Sequence, residues 1–206
     1  AREYPRPFEP ATAAKTRRIL SALGALGVRF EGRDVLDVGC GTGVYALALA
    51  GRAASTTGVD SSRAMLRVFE RERRAAGIRN SSCIAADWGK LPAGRTAGRF
   101  GVALASMTMA VRGEGDILKM EAAAPGGTCV YIGWAGRRRN ALMEKIYAEH
   151  GLEYRAPEGA ETVRAALKAL GRSVRTRYIN DSWTREASPE DTLRAVAVNM
   201  RANGVE

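Results

Sequence analysis

The sequence has a single histidine, no C-x-x-C pair and no apolar run that approaches the roughly 20 residues needed to cross a bilayer. Each absence removes a class of protein. With no long apolar run, and with no secretory leader read in it, the chain is expected to be soluble and globular. Cys40, Cys83 and Cys129 are odd in number and widely separated, which speaks against a disulfide framework and against a zinc site. They are expected as small apolar fillers on or beside strands, in a reducing cytoplasm. His150, in AEHGL at an expected helix C-terminus, suits a cap better than a base. No metal site is expected. Residue 1 is Ala rather than Met, which leaves the native N-terminus open.

Acidic charge is also in short supply: Lys plus Arg number 32 against 22 Asp plus Glu, a formal net charge of +10. That balance suits an anionic partner such as RNA, a nucleotide or a membrane surface. Arginine supplies 27 of the 32 cations, scattered from Arg2 to Arg201 and often within four residues of an acid on expected helices. Scatter of this kind reads as a general preference for arginine. A nucleic-acid footprint would add stacking aromatics to one basic face.

What is present is a strict alternation. The opening AREYPRPFEP, with three prolines in ten residues, is expected to be extended, and residues 11–27 carry apolar side chains at helical spacing. Strands are expected at 33–39, 55–60, 81–86, 100–106 and 128–134, with helices at 44–51, 61–76 and 114–124 between them. Strand and helix in alternation predict a parallel sheet covered on both faces. Helices are expected again at 140–150 and 160–170, two strands around an Asn180-Asp181 turn at 173–187, and a last helix from Ser188 to about Ala202. A chain of 206 residues suits one domain, here with an N-terminal arm and cap helix over 1–30 and a helical insertion over 135–171.

The stretch VLDVGCGTG, residues 35–43, joins the first strand to the first of the intervening helices. Its glycines, Gly39, Gly41 and Gly43, let a ligand approach the backbone where a Cβ would clash. The dinucleotide fingerprint fits badly, because the third glycine comes one residue early and Val44 stands where Gly or Ala is required. A P-loop fails for want of G-K-[ST].

D-x-G-C-G-T-G after a strand resembles the first signature of class I S-adenosylmethionine-dependent methyltransferases. Further features follow in the family's order from Asp37 to Gly133. The resemblance implies a Rossmann-like α/β fold: a doubly wound, mostly parallel seven-stranded sheet with helices on both faces and an antiparallel last strand. It implies S-adenosyl-L-methionine as cofactor, with S-adenosyl-L-homocysteine as product. Asp37 would hold the methionine amino group, and the backbone of Gly39, Cys40, Gly41 and Gly43 would pass beneath sugar and methionine. Asp60, beside Ser61, resembles the acid that clamps both ribose hydroxyls, although an N-cap role is the alternative for it. Met65 resembles the apolar neighbour of the adenine face. In AADW, Asp87 resembles the acceptor for the adenine amine, with Ala86 and Trp88 as ring neighbours. Gly101 stands where the family commonly carries Asp. Ser106, Met107, Thr108 and Met109 would line the reaction pocket, and APGG at 124–127 matches the turn before the fifth strand.

The implied activity is methyl transfer to a small-molecule acceptor. There is no N-P-P-Y or D-P-P-Y, the pattern associated with amino groups of DNA bases or glutamine. Trp134, Tyr4 and Phe8 are candidate walls of an acceptor pocket. The arginines at 137–139, with Arg137 first, are candidates to hold an acceptor's carboxylate or phosphate by forked hydrogen bonds. Two alternatives remain at this level: an RNA methyltransferase that uses the basic surface, and a protein that binds an adenosyl compound without turnover. The sequence assigns no catalytic base.

Overall fold

The computed structural model describes residues 4–135, 139–154, 160–182 and 187–202. These fall into two compact units, one holding the sheet and most helices, the other holding two helices.

The first unit opens with helix α1 (Pro10–Ala25), whose Pro10 sits at a position where a helix has no use for its N–H. Strand β1 (Asp34–Val38), helix α2 (Val44–Leu49), strand β2 (Ser55–Asp60), helix α3 (Arg63–Ala75) and strand β3 (Ser81–Ala85) follow. After a loop come strand β4 (Val102–Ser106), helix α4 (Glu114–Ala123) and strand β5 (Thr128–Ile132). The sheet order is β3-β2-β1-β4-β5, and every pairing is parallel. The five strands expected between residues 33 and 134 therefore form, each within a few residues of its predicted bounds.

β1 is buried on both faces, as a central parallel strand should be. Val35 packs with Ile19, Leu20, Tyr45 and Leu49 of α1 and α2, while Leu36 and Val38 pack with Trp88, Ile117 and Met120 on the side of α4. Alternation along the strand turns Asp37 to the face of Val35, toward α2. Because β2 and β4 lie on opposite sides of β1, the direction of winding reverses there. The carboxyl ends of β1 and β4 thus flank the crevice in which open α/β sheets take their ligands.

Two expectations need correction. Among the described residues the sheet has five strands and not seven, and no antiparallel strand. The hairpin expected over 173–187 is absent from residues 173–182, which run without regular structure; residues 183–186 lie outside the described residues. The reason is packing. Val174, Tyr178 and Ile179 are all exposed, and a β-prone pattern makes a strand only where a neighbouring surface receives one of its faces. Helix α6 (Ala160–Ala169) completes the first unit, with Ala160 N–H donating to the Trp134 carbonyl at 2.9 Å.

The second unit contains helices α5 (Ala141–Glu149) and α7 (Pro189–Ala202). The Asn140 side chain caps α5 by accepting from Met143 N–H. Tyr147, buried, packs edge-on against Tyr154 and donates its hydroxyl to Asn199 Oδ1 at 3.0 Å. His150 is the C-cap of α5, exposed, with its backbone N–H on the Tyr147 carbonyl. That is the capping position the sequence indicated.

Candidate functional site

The turn after β1 is fastened to β2. Gly39 and Cys40 N–H both donate to the Val59 carbonyl, at 2.7 and 3.1 Å, and Gly41 N–H donates to Asp60 Oδ2 at 2.9 Å. The other oxygen of Asp60 accepts the Ser62 N–H at 2.7 Å, and its carbonyl accepts Ala86 N–H at 3.0 Å. One residue at the end of β2 therefore gathers the glycine turn, the start of α3 and the exit from β3. The N-cap of α3 is Ser62, whose Oγ accepts Met65 N–H, so Asp60 is not spent on that role.

The three glycines serve different ends. A Cβ on Gly43, at φ 88°, would lie 2.4 Å from the Phe69 ring, and one on Gly39 would collide with the Thr108 side chain. Only at Gly41, φ 54°, does a Cβ position face open space. Of the three, Gly41 alone leaves its Cβ position open to a ligand. The other two let the chain pack on itself, and Thr108 on Gly39 brings the loop after β4 against the first turn.

Asp37 is the most buried acid among the described residues. It is 2% exposed, and its Oδ2 accepts the Ala46 N–H of α2 at 3.1 Å. No partner of Oδ1 is found among the described residues. Burial pushes its carboxyl up to about 7, against the Ala46 hydrogen bond, which lowers it, and with a contribution from the nearby Asp60 charge, which raises it. A buried carboxylate with one hydrogen bond is a poor structural device and a good receptor for a cation. Asp87 carries an ion pair: Arg112 Nη2 lies 3.4 Å from Oδ1, which also accepts the Lys90 N–H at 3.3 Å.

The sequence model of the methyltransferase domain family matches residues 35–123, from β1 to the end of α4. Residues 35–123 belong to that methyltransferase domain family. Among curated proteins, the ubiquinone biosynthesis O-methyltransferase of Alkalilimnicola ehrlichii is 40% identical over 63 residues, 31% of this chain and 24% of that one. The matched stretch thus spans about a quarter of that relative's length. Among solved structures, the YcgJ protein of Bacillus subtilis superposes with a TM-score of 0.53 at 19% identity, over 73% of this chain and 66% of the other. A SAM-dependent methyltransferase from Aquifex aeolicus gives 0.52 at 18%, over 65% and 77%. These likenesses establish a Rossmann-like α/β fold.

Within the methyltransferase domain most of the expected residues converge. Asp37, Cys40, Gly41, Asp60, Ser61, Met65, Ala86 and Asp87 lie at or just past the carboxyl ends of β1, β2 and β3, and Ser106, Met107 and Thr108 at that of β4. Cys40 contributes backbone only, since its side chain is buried with Ala46, Leu66 and Phe69, and burial pushes its thiol far up. Trp88 is a correction. Its indole is 2% exposed, packs in the core with Leu36 and Val38, and donates Nε1–H to the Asp116 carbonyl, so it forms no wall against a ligand ring. The step from Asp87 to Trp88 turns the chain inward, which a motif cannot show.

Trp134, half-buried, stands two residues beyond β5 at the same edge of the sheet, whereas Tyr4 and Phe8 of the arm are exposed. Arg137 and Arg138 lie outside the described residues. Arg139, in the second unit, is exposed and pairs with Glu144. Sequence reasoning passed over Thr42, which is buried and donates its hydroxyl to the Pro5 carbonyl at 2.6 Å, tying the arm to the glycine turn. Met107, expected to line the reaction pocket, is the one described residue other than glycine with a positive φ, 47°. The Thr in GCGTG was a signal for that tie, whereas nothing local signalled the left-handed backbone at Met107.

Proposed function

We propose that the chain is an S-adenosylmethionine-dependent methyltransferase acting on a small-molecule acceptor. The observation that carries this reading is the buried Asp37 carboxylate, half unpartnered, beneath a glycine turn that Asp60 holds in place. The residues fit the cofactor. Asp37 Oδ1 would receive its ammonium, the open face of Gly41 would take the sugar, and Asp60 keeps lone pairs for the two ribose hydroxyls. Met65 and Ala86 would border the adenine, and Asp87 would accept from its exocyclic amine.

When bound, the cofactor supplies a methyl carbon made electrophilic by its sulfonium. The chain's own work is positional. An in-line approach at about 3 Å is gained by fixing both partners, and Ser106, Met107 and Thr108 stand at the end of β4 where an acceptor would be held and water excluded. A thiolate or carboxylate acceptor needs no base, and an alcohol or protonated amine does. The relative named above is an O-methyltransferase of ubiquinone biosynthesis, which supports a small acceptor.

We further propose that residues 1–206 form a single class I methyltransferase domain and that its location is reducing and cytoplasmic. Its support is that no helix among the described residues is long and apolar enough to cross a membrane and that the three cysteines are free. Calorimetry with S-adenosylhomocysteine tests the reading: micromolar to submillimolar binding is expected, and no heat at millimolar ligand would overturn it.

A further inference from the structure

Lys119 of α4 is half-buried and turns its ammonium onto backbone. Its ammonium donates to two backbone carbonyls of one turn, those of Trp88 and Leu91, and sits 4.7 Å from the centre of the Trp88 ring. The turn it grips begins at Asp87, whose carbonyl accepts the N–H groups of Lys90 and Leu91 at 3.1 and 2.9 Å. Two further contacts join the same pair of elements. Trp88 Nε1–H reaches the Asp116 carbonyl at 3.3 Å, and Arg112, held by Asp116 Oδ2 at 3.0 and 3.3 Å through its backbone N–H and Nε, extends Nη2 across bare Gly89 to Asp87. The Asp87 carboxylate is thus aimed by a backbone turn whose carbonyls are clamped from α4.

An ammonium on a solvated surface gains little from neutral carbonyls. Here it is half-buried, and desolvation lowers its pKa against the pull of Asp116 and Asp87. A cation held in that way spends its charge on fixing the turn, and the side chain that the turn carries outward is Asp87. Resting on the function proposed above, we propose that Lys119 is a positioning residue: it sets the Asp87–Leu91 turn so that the site selects a 6-aminopurine over a 6-oxopurine. An amine in the plane of the base donates to Asp87, whereas a carbonyl there would face it acceptor to acceptor.

The test compares S-adenosylhomocysteine with S-inosylhomocysteine, in which an oxo group replaces the amine, by calorimetry on the full chain. The wild type is expected to favour the amine about 10-fold or more, the value of one charge-assisted hydrogen bond. In Lys119→Met the preference should fall below about 3-fold. In Lys119→Arg, which can still span two carbonyls, it should persist. Amide hydrogen exchange in the ligand-free chain should show Lys90 and Leu91 less protected in the Met variant. If that variant does not fold, Lys119→Gln, a shorter and neutral amide, carries the same comparison, and there too the preference should fall below about 3-fold.

Loss of affinity for both ligands by one common factor, with the preference intact, would overturn the positioning role and leave the cofactor reading standing. Equal binding of both ligands by the wild type, or unchanged exchange in the variant, would also overturn it. Binding of neither ligand by the wild type would instead remove the function itself.

Discussion

The Asp60 carboxylate holds the Gly41 N–H at 2.9 Å, so the acid at the end of β2 and the one glycine of the turn that faces open space form a single unit. Replacing Asp60 touches two functions at once. Asp60→Ala is expected to weaken S-adenosylhomocysteine binding by about 1–3 kcal/mol through the lost ribose contacts, and to loosen the turn as Gly41 and Ser62 N–H lose their acceptor. The fold should survive, because the Val59 carbonyl still holds Gly39 and Cys40. Unchanged affinity by calorimetry would mean that the sugar lies elsewhere.

Gly41 and Gly43 separate binding from folding. Gly41→Ala meets no atom, so its cost to stability is the left-handed backbone alone, about 1–2 kcal/mol, while the added methyl fills the face offered to the ligand. Gly43→Ala adds a clash with Phe69, a further cost of about 1–3 kcal/mol. Thermal melts should rank Gly43→Ala as the less stable, and titrations should rank Gly41→Ala as the weaker binder relative to its melting temperature. The reverse order in both would place the ligand at the wrong glycine.

Asp37 makes pH a probe of the site. Its carboxyl ionises near 3.8 in the unfolded chain and at about 7 in the folded one. Between those values the folded state binds the extra proton. This group's contribution to the stability of the free chain is therefore most favourable below the lower value, falls as pH rises, and levels off above the higher one. A bound ammonium favours the carboxylate, so binding should release a proton and tighten as pH rises toward about 7. In Asp37→Asn both trends should vanish, leaving weak, pH-independent binding. A wild-type affinity that stays flat from about pH 5 to about pH 8 would count against the ammonium contact.

Trp88 belongs to the core. Trp88→Ala should cost about 3–5 kcal/mol in chemical denaturation. Trp88→Phe keeps most of the packing and loses the bond to the Asp116 carbonyl. Its affinity for S-adenosylhomocysteine should change less than that of Asp60→Ala, and a larger change would return the indole to the ligand.

Much of this was legible along the chain because strand, turn and helix each leave a local trace. The alternation of apolar runs with amphipathic stretches gave five strands and the helices between them, and the exit of β1 into GCGTG marked the edge of the sheet that matters. The segment 173–182 misled for a physical reason: β-prone residues promise a strand only if another surface receives them. Trp88 misled because a motif records adjacency in sequence, and a single peptide unit can turn one side chain out and the next one in.

The sequence by itself determined the α/β order, the glycine turn and the acids at the ends of the first three strands, since these depend on short-range periodicity and on backbone freedom at glycine. Only the tertiary structure decided that Asp37 is buried with one bond, that Gly43 serves Phe69 and Gly39 serves Thr108, and that Lys119 grips a turn 28 residues before it. Burial, close approach and long-range clamping arise when the sheet closes and distant segments compete for the same space, and no local pattern encodes that competition.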